Sequence, residues 1–253
     1  MRDTEQGVET LSEVVIGSAI SALATGIGAL PILLFRSATH RLRDVLLAFT
    51  AGIMVSATMF NLIPVALEQS SLIPVAIGIL LGTGVLSWME KTLPHMDLDH
   101  SKSSISLDAR SALIISAITL HNLPEGLSVG VSYASGDEGL GPLIALAIGL
   151  QNAPEGFLVA MFLVNQKVNR FAAFVLATLT GAVEILTAMA GFYLTAYVQN
   201  MVSYGLAFAA GAMLFIVYKE LIPESHGDGH ESSSTFAFIA GLITMIALIE
   251  WFG

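Results

Sequence analysis

The sequence predicts an all-α integral membrane protein, a single polytopic domain over residues 1–253 with eight transmembrane helices and both termini outside. Three observations carry this reading. Apolar residues make up 55% of the chain and charged residues 12%, about half the charged share of a soluble domain, with a mean hydropathy of +0.77. Apolar runs of about helix length recur from end to end, and they do not alternate strictly, which disfavours an outer-membrane barrel. Finally, the few basic residues gather in alternate loops.

The first span, residues 9–35, follows MRDTEQGVET. That leader is acidic rather than basic and the apolar run is long, which marks a retained span and not a signal peptide. Arg36 and Arg41 precede the second span, 42–67, Arg43 stands at its start, and Lys91 closes the third, 72–91. A loop of about residues 92–108, within KTLPHMDLDHSKSSISLDAR, then leads into the fourth span, 109–134. The fifth span is 140–165 and the sixth 169–198, with Lys167 and Arg170 between their apolar cores. Lys219 lies in the seventh, 202–222, and ESHGDGHE joins it to the eighth, 234–252. Each run matches the ~20 apolar residues that a helix at 1.5 Å per residue needs to cross a bilayer.

With the N-terminus outside, nine of the ten Lys and Arg residues fall on the inner side and only Arg2 falls outside. Dropping one helix would scramble that segregation. The 92–108 loop reads as a flexible cytoplasmic linker, although His95, Asp97, Asp99 and His100 also offer weak cation ligands. Residues 224–231 read either as a glycine-containing turn or as a metal-scavenging cluster. There is no cysteine, which excludes disulfides, thiolate metal sites and cysteine chemistry. The net charge of −10 comes from 20 acids against 10 bases, and where the acids lie matters more than their sum.

Four ionisable residues fall near the middle of predicted spans: His121, Glu125, Glu155 and Glu184. A charge at the bilayer centre costs at least ~2.5–3.5 kcal/mol, so such residues face the bundle interior and mark an ion or substrate route. HNLPEGLSVG begins at His121 and QNAPEGFLVA at Gln151, placing a ligand-type residue, a proline, a glutamate and a glycine in the same order twice. His121 and Glu125 share a helix face, as do Gln151 and Glu155. Asn122 and Asn152 point to an adjacent face, and Glu184 in TGAVEIL adds a carboxylate from a third helix. Pro124 cannot donate to the Leu120 carbonyl, nor Pro154 to that of Leu150. Freed carbonyls are tolerated at membrane depth only in a protein or water-lined cavity, so two kinked helices are expected to face each other across a polar site. One imidazole, three carboxylates and several amide oxygens suit Zn²⁺, Fe²⁺, Mn²⁺ or Co²⁺ better than Ca²⁺. The bland counterpart is a buried hydrogen-bonded network, which the doubled motif, the two prolines and the third carboxylate argue against.

Gly126-Leu127-Ser128-Val129-Gly130 matches the G-x-S-x-G of hydrolases, but that motif needs a strand–turn–helix setting. Here Ser128 reads as a small packing residue beside two glycines. H-E-x-x-H and a P-loop are both absent, so neither a metalloprotease of that type nor the use of ATP is indicated.

HNLPEG and QNAPEG resemble the paired motifs of the ZIP (Zrt-, Irt-like) family of divalent metal transporters, and the GufA-like bacterial branch in particular. The resemblance covers nearly the whole chain. It implies an inverted 3+2+3 arrangement, helices one to three related to six to eight around the four/five pair. It also implies a homodimer in the cell (inner or plasma) membrane that moves metal towards the cytoplasm, zinc first and Fe²⁺, Mn²⁺, Co²⁺ or Cd²⁺ besides. The implied site is binuclear. His121, Glu125, Gln151 and Glu155, joined by Met54 of AGIMVSATMFN, form the main site; Asn122, Asn152 and Glu184 form the second, with Glu125 and Glu155 bridging. Asn61 would receive the ion at the entrance and Glu220 would help release it. Gln151 and Asn152 stand where other members carry histidine or a carboxylate, which puts strict zinc selectivity in doubt. The H-E-x-P-H-E motif of the LIV-1-type branch is missing. Metal is then cargo and no cofactor is required; nucleic acid is not a partner. Two other classes use the same residues: an intramembrane metal-dependent hydrolase, and a proton-coupled carrier of another solute.

Overall fold

The computed structural model describes residues 2–34, 39–92, 107–198, 201–227 and 229–252, and the regular structure among them is entirely helical. Helix α1 is Arg2–Ala29, continued by a 3-10 turn at Leu30–Leu33. Helix α2 starts as His40–Ala57 and runs through a π turn, Thr58–Leu62, into Ile63–Glu68. Then come α3, Leu72–Thr92, α4, Leu107–Tyr133, α5, Leu140–Asn165, and α6, Arg170–Tyr197. Helix α7 starts as Met201–Ile216 and passes through a second π turn, Val217–Leu221, into Ile222–Ser225; α8 is Glu231–Phe252. Helix α1 starts seven residues before the expected boundary, in a stretch holding the helix formers Glu5, Gln6 and Glu9. Helix α8 starts three residues early, at Glu231, whose carboxylate suits the positive end of the helix.

Both π turns sit immediately before an Ile-Pro pair, Ile63-Pro64 and Ile222-Pro223. Proline brings no N–H to the α ladder, and the Ile before it donates five residues back, to Thr58 O and Val217 O respectively. By contrast α4 and α5 remain α-helical past Pro124 and Pro154, which therefore free single carbonyls without ending either helix.

Among the described residues, seven of the helices are long and apolar enough to cross a membrane; α4, with 27 residues, carries His121 and Glu125 in place of that uniform apolarity. Burial sorts the spans. Only 11% of the apolar stretch of α8 and 22% of that of α3 is buried inside the molecule, against 67% for α2 and 61% for α5. The outer helices therefore offer Leu72, Leu80, Trp88, Phe236 and Trp251 to the surroundings, as a bilayer solvent permits.

The helices pack most closely as four pairs: α1 with α5, α4 with α6, α2 with α8 and α3 with α7. Glycines set the approach. A Cβ on Gly28 would overlap the Ala153 carbonyl, and one on Gly156 the carbonyl of Thr25. Gly130 meets Ala188 in the same way between α4 and α6, while Gly52 and Gly241 bring α2 against α8 and Gly82 and Gly211 bring α3 against α7. Lipid tails are as apolar as leucine, so association in a membrane depends on this kind of close backbone contact.

Candidate metal site

The glycine of each P-E-G motif has a steric reason to follow its glutamate. Gly126 lies against the backbone of Glu184, so α4 can set Glu125 within reach of α6; Gly156 lies against Thr25, so α5 can set Glu155 beside α1. The helices thereby press polar side chains into the interior. Glu125 and Gln151 are fully buried, and Asn152, Glu184 and Asn122 almost so.

Three hydrogen-bonded groups result. Gln151 Nε2 donates to Glu125 Oε1 at 2.8 Å, linking α5 to α4. Asn152 Nδ2 donates to both carboxylate oxygens of Glu184, at 2.8 and 2.9 Å, linking α5 to α6. Ser21 Oγ donates to Glu184 Oε2 at 2.6 Å from α1, and Asn152 Nδ2 also lies 3.2 Å from the Ser21 hydroxyl and carbonyl. His121 turns away from these groups and meets Glu220 of α7, Nε2 to Oε2, at 2.8 Å. Glu155 makes no hydrogen bond among the described residues and is 9% exposed. Met54 is buried in the core of α2, a helix that packs on α5. Asn61 is buried in the first π turn, its Nδ2 without a hydrogen-bond partner among the described residues.

Because both amides aim their N–H groups at carboxylates, their oxygens are left over. Glu125 Oε2, Gln151 Oε1 and Asn152 Oδ1 are buried and have no hydrogen-bond partner among the described residues, and neither does Asn122 Nδ2. A buried acceptor without a donor costs about 1–3 kcal/mol, and native structures hold few of them. Three such oxygens on α4 and α5 suit a cation, since each lacks positive charge. They stand in waiting and not in coordination: among the described residues no three His, Asp or Glu side chains converge closely enough to hold one ion. Of the expected ligands, Glu125 is thus paired with Gln151 and Glu184 with Asn152, while His121 has a separate contact.

Sequence reasoning did not single out Ser21. Its signal was there in Ser18, Ser21 and Thr25, three small polar residues at helical spacing on α1, all buried. It also missed two contacts, one between α7 and the end of α3 and one between the start of α2 and the residue before α8: Lys219 Nζ on the Glu90 carboxylate, and His230 Nδ1 on Asp44 Oδ2 at 3.0 Å. In the 224–231 stretch, His226 Nδ1 is 2.9 Å from the Ile222 carbonyl, so the two imidazoles face different partners and do not share an ion. His95, Asp97, Asp99 and His100 lie outside the described residues. Ser128 is fully buried and its hydroxyl donates to the Glu125 carbonyl at 2.6 Å, which leaves no nucleophile elbow.

Residues 89–249 match the family model described as ZIP Zinc transporter. The chain belongs to the ZIP family. It is 34% identical to the zinc transporter GufA of Myxococcus xanthus, across 92% of this chain and 96% of that one. It is 35% identical to the zinc transporter ZIPB of Bordetella bronchiseptica, across 92% and 79%. Zinc transporter ZIP11 of Homo sapiens is 25% identical across 96% and 98%. The relatives are named as transporters, and this ZIP chain is accordingly a multi-pass membrane transporter and not an enzyme, which closes the hydrolase alternative.

Proposed function

We propose that this ZIP protein carries a divalent transition metal, zinc first, across the membrane and into the cytoplasm through an intramembrane binuclear site on α4, α5 and α6. The observation that carries the reading is the set of three buried, unpartnered oxygens of Glu125, Gln151 and Asn152. His121, Glu125, Gln151 and Glu155 form the main site, with Met54 as a thioether neighbour. Asn122, Asn152 and Glu184 form the second, with Glu125 and Glu155 shared. An arriving ion takes over the acceptors that now hold amide N–H groups, and the amides offer their oxygens instead. Without thiolates the site exchanges its ion readily, which suits cargo. Fe²⁺, Mn²⁺, Co²⁺ and Cd²⁺ are further candidates, since an amide at 151 and another at 152 discriminate weakly among them.

The inverted 3+2+3 arrangement has support in the packing. Exchanging α1 with α6, α2 with α7, α3 with α8 and α4 with α5 turns the α1–α5 pair into α6–α4, and the α2–α8 pair into α7–α3. The two π turns before Ile-Pro, on α2 and α7, obey the same exchange. A midplane site at the junction of inverted repeats is a general transporter design. The whole chain then acts as one membrane domain, a homodimer in the plasma or inner membrane. Both termini lie outside, as the distribution of basic residues favours.

Liposomes containing the purified protein test the reading directly. Radioactive Zn²⁺ should enter with the wild type and not with Glu125→Ala/Glu155→Ala that inserts and folds normally. Equal uptake by the folded double variant would remove the site assignment; no uptake by the wild type would remove the transport assignment.

A further inference from the structure

We propose that Lys219 is a built-in counter-cation that keeps the Glu90 carboxylate from capturing the departing metal ion, so that the ion is released and not trapped. The inference rests on the transport reading above and concerns the stretch between its site and the side on which α3 ends and α4 begins.

One turn of α4 before Glu125, on that side, stands His121. Beyond it a small cavity is lined by Glu90 of α3, His121 of α4, Glu220 of α7 and apolar residues including Leu86 and Phe215. Its free volume for the centre of a water molecule is about 10 Å³, room for roughly one water or one stripped ion. Its two carboxylates and imidazole are donors of the kind a divalent transition metal prefers, though they do not converge on one point as they stand. A transporter needs sites that an ion can leave, as conduction in pores also requires.

The structure engages one of those carboxylates already. Lys219 Nζ is bonded to Glu90 Oε2, and the ammonium also lies 5.3 Å from the centre of the Phe215 ring. The Glu90 side chain is 6% exposed and that of Lys219 47%, so the carboxylate has little water around it and the lysine contributes counter-charge to it. The second π turn of α7 holds Lys219 and Glu220 side by side. That one turn therefore presents a cation to Glu90 and an anion to His121. An ion passing His121 meets the carboxylate that His121 already contacts, with the Lys219 ammonium on the same turn.

Zinc binding to the purified full-length protein, measured by calorimetry, separates this from a plain helix tie. Lys219→Gln should bind Zn²⁺ about ten-fold more tightly or take up one more ion per chain, with a lower maximal uptake rate in liposomes. Lys219→Gln/Glu90→Gln should return both to wild-type values, and Lys219→Arg should leave them unchanged. Glu90→Gln alone should bind zinc within about two-fold of wild type, because Glu90 does not hold cargo. Unchanged binding in folded Lys219→Gln overturns the proposal. So does a ten-fold loss in Glu90→Gln, which would make Glu90 a ligand despite its lysine; that arm decides the matter even if Lys219→Gln fails to fold. Failure of the transport reading shows differently, as wild-type liposomes without Glu125-dependent uptake on the same preparations.

Discussion

Replacing Ser21 by alanine should weaken the metal-free protein and tighten its grip on zinc. The Ser21 hydroxyl donates to Glu184 Oε2 at 2.6 Å, with both residues buried. A hydrogen bond to a charged acceptor contributes about 1.5–3 kcal/mol net. In Ser21→Ala the carboxylate keeps the Asn152 amide, at 2.8 and 2.9 Å, and loses only the hydroxyl. The metal-free form should therefore lose ~1.5–3 kcal/mol. If an ion takes over Glu184 in the loaded form, that form loses little, and the difference appears as binding roughly ten- to hundred-fold tighter. Thermal unfolding in detergent, with and without saturating Zn²⁺, reads the first effect, and calorimetric titration the second. The melting point should fall without zinc and recover with it. Weaker binding in the variant would refute the reasoning, because it would mean that the hydroxyl orients Glu184 towards the ion and does not compete with it.

Further outcomes follow from the same geometry. Gly156→Val drives a side chain into the Thr25 backbone, so α1 and α5 must part; overpacking of this kind costs about 1–3 kcal/mol or more, and folded yield and uptake should fall together, whereas a wild-type melting point would show that the close approach is dispensable. Gln151→Glu sets two buried carboxylates against each other without the 2.8 Å amide donor; the variant should retain Zn²⁺ through dialysis that strips the wild type, and equal loss from both would argue against Gln151 as a ligand. Metal ligands must shed protons to bind, so uptake should decline as external pH drops from about 8 to about 5, and a flat profile would exclude proton competition at the site. Ser128→Ala should leave uptake intact, and a fluorophosphonate should fail to label the wild type; labelling at Ser128 would contradict its reading as a buried packing residue.

The spans and the polar core were legible from residue order because the bilayer imposes both. Any run such as SLIPVAIGILLGTGVLSWM must cross or lie in lipid, and a glutamate inside HNLPEG has nowhere to go but the interior. Which helices pair was not legible. The chain has 23 glycines, and in a membrane it is the small residues that select neighbours, so a sequence offers many candidate faces and no rule to rank them. Gly28 and Gly156 prove decisive only when Ala153 and Thr25 are found opposite. The Lys219–Glu90 pair, like Ser21–Glu184, joins residues more than a hundred positions apart, beyond the reach of local pattern. Even the π turns were half visible, since Pro64 and Pro223 announce a disturbed ladder without saying whether it bends, breaks or widens.

The two amides explain why the metal-free site survives. A buried carboxylate without a partner is among the most costly groups a membrane protein can hold, and a transporter must empty its site in every cycle. Gln151 and Asn152 answer this with one group that has two faces. Their N–H₂ ends now serve the carboxylates of Glu125 and Glu184, and their oxygens wait without a partner. Turning the amide exchanges a donor for an acceptor with no change of charge. A second ionised carboxylate at either position could bind an ion but has no N–H to offer in its place. On this view the departure at 151 and 152 from the family's more charged or softer ligands favours release over grip. The same balance appears one turn further along the route, where Lys219 occupies Glu90.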